Sequence, residues 1–282
     1  PKNPARETRP MPQNANKSAH YDVTSAPLLR EDKDGITTLT LNRPDKFNCL
    51  SLGLLNMLQE TLDNIAKDPA AKVIVIAANG RAFCAGHDLA EVNSDPSVDP
   101  MEHLMATCAH MMQTIVSIPQ PVIAKVQGVA TAAGCQLVAQ CDLAIAADSS
   151  RFGTSGINLG LFCSTPMIAV TRNLPRKQAM ELLMTGDLID APTALSWGLL
   201  NKVVPLDELD AAVDEMAIKI ASKSRAAIAI GKELFYAQIN EGLDTAYKLG
   251  AAAIVRNLQK EDARNGIDAF LNKRDMPEWQ DK

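Results

Sequence analysis

Two short stretches of small residues carry the chemistry most readable in this chain. Residues 81–89 (RAFCAGHDL) and 128–142 (GVATAAGCQLVAQCD) each place glycine and alanine where a strand is expected to turn into a helix. Such a turn leaves backbone N–H groups without intrahelical partners. Two amides of this kind, one near a helix start, favour negative charge on a carbonyl oxygen, such as that of an enolate. Ala132, Ala133 and Gly134 are small enough for a ligand to approach the backbone closely. Ala-Ala-Gly also suits plain helix packing, and both readings stand at this level.

Other constellations are weaker. His87 follows Ala85 and Gly86 in the first turn, where the useful group is the backbone N–H and the imidazole shapes the surroundings. Cys163 is a nucleophile only if a base activates it, and no His or Asp can be assigned to that task. His103 and His110 fall two helical turns apart, about 10 Å along the axis, too far to share a metal ion. Neither a phosphate-binding loop nor a dinucleotide fingerprint is present, so NAD, ATP and metals are not implied.

These turns need a framework. With 282 residues, 46% of them hydrophobic, the chain can bury a large core. A net charge of -5 and the lack of any Lys/Arg block argue against nucleic acid or an anionic membrane as partner. No apolar run has the ~18 residues of a membrane span. The six cysteines lie mostly in apolar surroundings without CxxC or CxxH spacing, which points to reduced core thiols in a reducing compartment. Cytoplasm is the expected location. The basic, acid-poor bias of residues 1–25 offers the mitochondrial matrix as the alternative, although the same residues also read as a disordered extension.

Residues 36–41 (ITTLTL) alternate as a strand and end at the turn Asn42-Arg43-Pro44-Asp45. Ser51 is a plausible helix cap, followed by Leu52, Leu55, Leu58, Leu62 and Ile65 at helical spacing until Asp68-Pro69. Continuous apolar strands at 73–77, 122–126 and 143–147 alternate with helices, so the sheets are covered on both faces and the class is α/β. After Pro205 helices take over, at 206–222, 225–238, 243–258 and 262–273. The division expected is therefore 1–25 as extension, 26–205 as core and 206–282 as a helical region. The apolar faces of that last region (Leu243, Tyr247, Ile254, Leu258, Ile267, Phe270, Leu271) need something to pack on.

Taken together, Asn42-Arg43-Pro44 with Lys46 and Asn48, Phe83 to Leu89, Gly128 to Asp142, Phe152-Gly153, Leu159-Gly160, Gly198-Leu199 and residues 266–274 (GIDAFLNKR) resemble the crotonase, or enoyl-CoA hydratase/isomerase, superfamily across about residues 28–275. The resemblance implies a spiral of ββα repeats with a C-terminal helical trimerisation region, trimers often stacking in pairs. It implies an acyl-CoA thioester as ligand, with coenzyme A entering as part of the substrate and no separate cofactor. By the same resemblance the backbone amides of His87 and Ala133 receive the thioester oxygen. The binding surface is expected from Lys46, Phe47, Cys49, Ala85, Gly86, His87, Asp88, Leu89, Ala132, Ala133, Gly134, Ser155 and Leu159, with Phe270 and Lys273 from a neighbouring subunit.

At two positions the chain departs from the pattern. Hydratases of this kind use two glutamates, and Gln136 and Gly156 stand in their places. Glutamine does not transfer protons near neutral pH and glycine has no side chain. With general acid–base groups each contributing about 10²–10⁴ in rate, ordinary hydration is expected to be very weak. Decarboxylation or thioester hydrolysis through oxyanion stabilisation remains open. So does a non-catalytic acyl-CoA sensor or a subunit assembling with active relatives.

Overall fold

The computed structural model describes residues 25–95 and 97–281. The extension expected over 1–25 therefore lies, apart from residue 25, outside the described residues. The first strands, β1 (Leu28–Lys33) and β2 (Ile36–Leu41), pair antiparallel across a turn in which Asp34 and Gly35 take positive φ. β1 carries four exposed residues in six and was not anticipated, because as an edge strand it shows little apolar alternation. Helix α1 (Leu52–Ala66) starts where the Ser51 hydroxyl accepts from the Leu54 N–H, and it buries Leu54, Leu55, Leu58, Leu62 and Ile65.

A three-fold winding then follows. Strand β3 (Val73–Ala78) is continued by β4 (Ala82–Cys84) and by helices α2 (Leu89–Ser94) and α3 (Val98–Ser117). Next, β5 (Val122–Val126) leads to β6 (Val129–Thr131) and α4 (Ala133–Gln140). Finally β7 (Leu143–Ala147) leads to β8 (Arg151–Gly153), α5 (Ser164–Asn173) and α6 (Arg176–Thr185). The first strand of each turn joins a six-stranded sheet and the second a four-stranded one. Neighbouring strands β3, β5 and β7 are parallel, as are β4, β6 and β8. This is a spiral of ββα turns. A two-residue strand β9 (Ile189–Asp190) closes the small sheet antiparallel to β8, then helix α7 (Ala191–Trp197) carries the chain to β10 (Lys202–Val204), which ends the large sheet parallel to β7.

The main core lies between the sheets and helices α1, α3 and α4, with Phe83 and Phe152 fully buried. A second core forms on the other face of the large sheet, where Val73, Val75, Ile123 and Ile145 meet Leu209, Ala212, Val213 and Ala217 of α8 (Leu209–Ala221). Although α8 falls beyond residue 205, it thus covers the sheet of the spiral.

Helices α9 (Arg225–Gln238), α10 (Leu243–Leu258) and α11 (Glu261–Leu271) bury little, and their apolar faces point outward: Tyr247 is 74% exposed and Phe270 71%. One buried connection holds α9 to the spiral. Lys232 Nζ lies 2.6 Å from Asp142 Oδ2 and donates also to the carbonyls of Ile115 and Gln120. The Tyr236 hydroxyl and the Val122 amide complete the shell of the carboxylate.

Candidate active site at two strand-to-helix turns

The turn from β4 into α2 runs through Ala85, Gly86, His87 and Asp88, and it is clamped to residues 47–50. Ala85 N–H donates to Phe47, Leu50 N–H to Gly86, and Asp88 N–H to Leu50. Because His87 pairs with Leu50 as a parallel bridge, the bonds use its neighbours' groups and leave its own N–H outside the ladder. The clamp is itself braced. Buried Asn48, at φ 54°, accepts from the Arg43 amide and donates to the carbonyls of Asn79 and Ala82. The Arg43 guanidinium reaches the Cys49 carbonyl at 2.8 Å and Asp88 Oδ2 at 3.0 Å. Burial pushes the Asp88 carboxyl up, but the bond and charge of Arg43 together with nearby backbone amides bring it net below the usual range.

The turn from β6 into α4 is built on Ala132, an alanine at φ 51°, ψ −123°. A non-glycine residue there holds strain, which persists only where its surroundings impose it. Its N–H donates to Gly153 and its carbonyl accepts from Gln136. As the first residue of α4, Ala133 offers an N–H with no intrahelical acceptor.

The two turns touch. A Cβ on Gly86, at φ 98°, would stand 2.9 Å from Ala132 Cβ and 3.3 Å from Ala133 N, and one on Gly134 would stand 2.0 Å from the Cys84 carbonyl oxygen. Both contacts require glycine. The close approach brings the His87 turn and the Ala133 amide to the same place.

Two polar groups of these elements, the Gln136 amide and the His87 imidazole, are uncharged, whereas Asp88 is paired with Arg43. Gln136 is 4% exposed, and its Oε1 has no hydrogen-bond partner. His87 Nε2 is likewise buried without one; burial lowers the imidazole pKa against the opposing charge of Glu91, so the ring is uncharged at neutral pH. Glu91 itself accepts from the Leu52 amide at the start of α1.

From the next turn of the spiral, Ser155 joins this cluster: its hydroxyl lies 2.8 Å from that of Thr131, at the end of β6. Gly156 follows, its carbonyl bonded by the Leu161 N–H at 3.0 Å. Beyond it Leu159 is 65% exposed.

The expected residues thus divide into groups. Phe47 accepts from the Ala85 N–H, Leu50 is bonded to Gly86 and Asp88 on either side of His87, and Cys49 accepts from the Arg43 guanidinium, with exposed Lys46 just before them and exposed Leu89 opening α2. The Phe47 ring also lies under the Arg81 guanidinium at 4.5 Å. Ala132, Ala133 and Gly134 pack on the first turn, while Phe270 and Lys273 sit in the solvent-facing region around the end of α11. Sequence reasoning missed Arg43, Arg81 and Thr131 as supports; the Asn-Arg-Pro turn was the signal that pointed towards the first.

Thiol chemistry finds no support. Burial pushes Cys84, Cys108 and Cys135 up to about 12 and raises Cys49, Cys141 and Cys163. Among the described residues, no three His, Cys, Asp or Glu side chains are placed to hold a metal ion. Also among them, no helix is long and apolar enough to cross a membrane.

Residues 31–282 match the family described as Enoyl-CoA hydratase/isomerase, and the chain belongs to that family. Within it, the chain is similar to human enoyl-CoA hydratase domain-containing protein 3, mitochondrial: 47% identical over 253 residues, 90% of this chain and 83% of the other. The crystal structure of that human protein superposes with a TM-score of 0.87, covering 89% of this chain and 100% of the other. An enoyl-CoA hydratase structure from Mycobacterium smegmatis gives 0.88 at 47% identity, covering 90% and 99%. A crotonyl-CoA hydratase from Syntrophomonas wolfei is 32% identical over 252 residues, 88% of this chain and 95% of the other.

Proposed function

We propose that this chain binds an acyl-CoA thioester at the junction of the two turns, with the amides of His87 and Ala133 donating to the thioester oxygen. The observation that carries the reading is the contact of Gly86 with Ala132 and Ala133, which joins a free helix-start N–H to the His87 turn. Removing one such donor typically costs about 10²–10³ in rate. Lys46, Phe47 and Cys49 lie on the side assigned to the adenine end. Phe270 and Lys273 would come from a neighbouring copy, and the outward apolar faces of α10 and α11 are those through which a trimer, or two stacked trimers, would form.

Enoyl-CoA hydration by this site is proposed to be very weak, because Gln136 and Gly156 supply no proton-transferring carboxylate. The lack of a carboxylate at 136 and 156 favours a second reading, in which the site stabilises an enolate or oxyanion formed by decarboxylation or thioester hydrolysis. A sensor or assembly subunit is the non-catalytic rival. The relatives named mitochondrial support the matrix over the cytoplasm as the compartment.

Crotonyl-CoA tests the reading directly: hydration is followed by loss of the enoyl absorbance while binding is measured alongside. Binding without hydration is the expected result. Rapid hydration would place proton transfer on other residues, and no binding would sink the assignment of the site.

A further inference from the structure

Gly156 has no room for a side chain. A Cβ built on it stands 2.7 Å from the Leu161 carbonyl oxygen and 2.8 Å from Cys163 Sγ, both closer than real Cβ contacts come. Neither obstacle is loose. Leu161 is tied back by its own N–H to the Gly156 carbonyl, so residues 156–161 form a cinched loop. Cys163 is the N-cap residue of α5, its carbonyl accepts from Met167 N–H, and its side chain is buried.

We infer that Cys163, with the Leu161 carbonyl, fills the space a side chain at 156 requires and so excludes a second acid from the site. Cys163 is then a specificity-determining residue rather than a nucleophile. It touches position 156 and acts by occupying volume. The exclusion of an acid rests on the proposed function; the packing relationship between the two residues does not. Substituting glutamate at position 156 alone would not restore an acid in working position, because the Cys163 thiol stands where its Cβ must go.

The experiment is a double-mutant cycle with Gly156→Ala, Cys163→Ala and the pair, read by thermal midpoint. Overpacking at 156 is expected to lower the midpoint by about 3–6 °C. Cys163→Ala alone leaves a small void and also lowers it. In the pair the two changes offset each other, so its midpoint falls no further than that of Gly156→Ala. Additive losses would overturn the inference.

A second arm compares crotonyl-CoA hydration by Gln136→Glu/Gly156→Glu with the same protein carrying Cys163→Ala, with butyryl-CoA binding measured on each. At least about tenfold faster hydration is expected with Cys163→Ala. Equal rates in the two, or no hydration in either despite butyryl-CoA binding, would overturn the exclusion of an acid by Cys163. Failure of the unaltered protein to bind butyryl-CoA would instead count against the proposed function, leaving the thermal cycle to judge the packing.

Discussion

Lys232 and Asp142 form a buried ion pair 2.6 Å apart, joining the outermost helices to the strand that starts the third turn of the spiral. The lysine side chain is 6% exposed, and all three of its donors have acceptors. Asp142 is satisfied by Lys232, Tyr236 and Val122. Removing one partner of such a pair leaves an uncompensated buried charge, at a cost of about 3–5 kcal/mol.

Lys232→Met is therefore expected to lower the thermal midpoint by roughly 6–20 °C, using a conversion of about 2–4 °C per kcal/mol. Thermal unfolding followed by circular dichroism checks it. A change under about 2 °C would mean that solvent reaches the pair.

Gly134→Ala and Gly53→Ala make a matched contrast. The first forces a Cβ to 2.0 Å from the Cys84 carbonyl, and the second meets nothing within 4 Å on α1. Gly134→Ala is expected to separate the two turns, lower the melting temperature and abolish acyl-CoA binding. Gly53→Ala should leave binding intact and stabilise by about 0.4–1 kcal/mol. Equal behaviour of the two would contradict the close approach described for the turns.

His87 has a depressed pKa because it is buried, partly offset by Glu91. An unfolded histidine takes up its proton at about pH 6.5, while the folded one resists until lower pH. Stability from this group is therefore fully present above about pH 6.5 and falls as pH drops through that value towards the lower folded one. His87→Gln is expected to flatten this part of the profile while keeping the backbone amide and acyl-CoA binding. Denaturant midpoints at pH 5, 6, 7 and 8 supply the comparison; unchanged slopes would exclude His87 as the source.

Asp262, 3% exposed, accepts from the Ser224 hydroxyl and from the amides of Gln280 and Asp281. Asp262→Ala leaves those donors unmet and should free the segment beyond α11. Limited proteolysis is expected to cut within residues 272–281 at least several-fold faster, with the spiral intact. Resistance equal to that of the unaltered protein would assign the docking to Trp279, whose indole donates to Ser222.

The α/β class was readable because the interior strands are covered on both faces and run continuously apolar, as at 73–77 and 122–126; the spiral itself came only from the resemblance to the crotonase superfamily. The turns were readable because small residues at a helix start answer to backbone approach rather than to propensity. What escaped had long-range causes. Lys232 lies ninety positions from Asp142, and a lysine on α9 looks like solvent-facing charge until the helix is docked. Short strands β4, β6 and β8 hold only three residues each, too few to show a period. The crowding of Gly156 depends on a loop that folds back on itself, which no local pattern encodes.

Beyond the opening hairpin, the large sheet grows only by parallel pairing, and this governs how the chain must assemble. A hairpin finds its partner within a few residues of synthesis, but here Val75 waits for Ile123 and Ile145 for Lys202. Each wait is a loop-closure cost met before any ladder forms, and it leaves apolar strand edges open meanwhile. The same winding that sets the two turns side by side therefore makes this a slow folder, with the nascent chain most vulnerable to association before its last strand arrives.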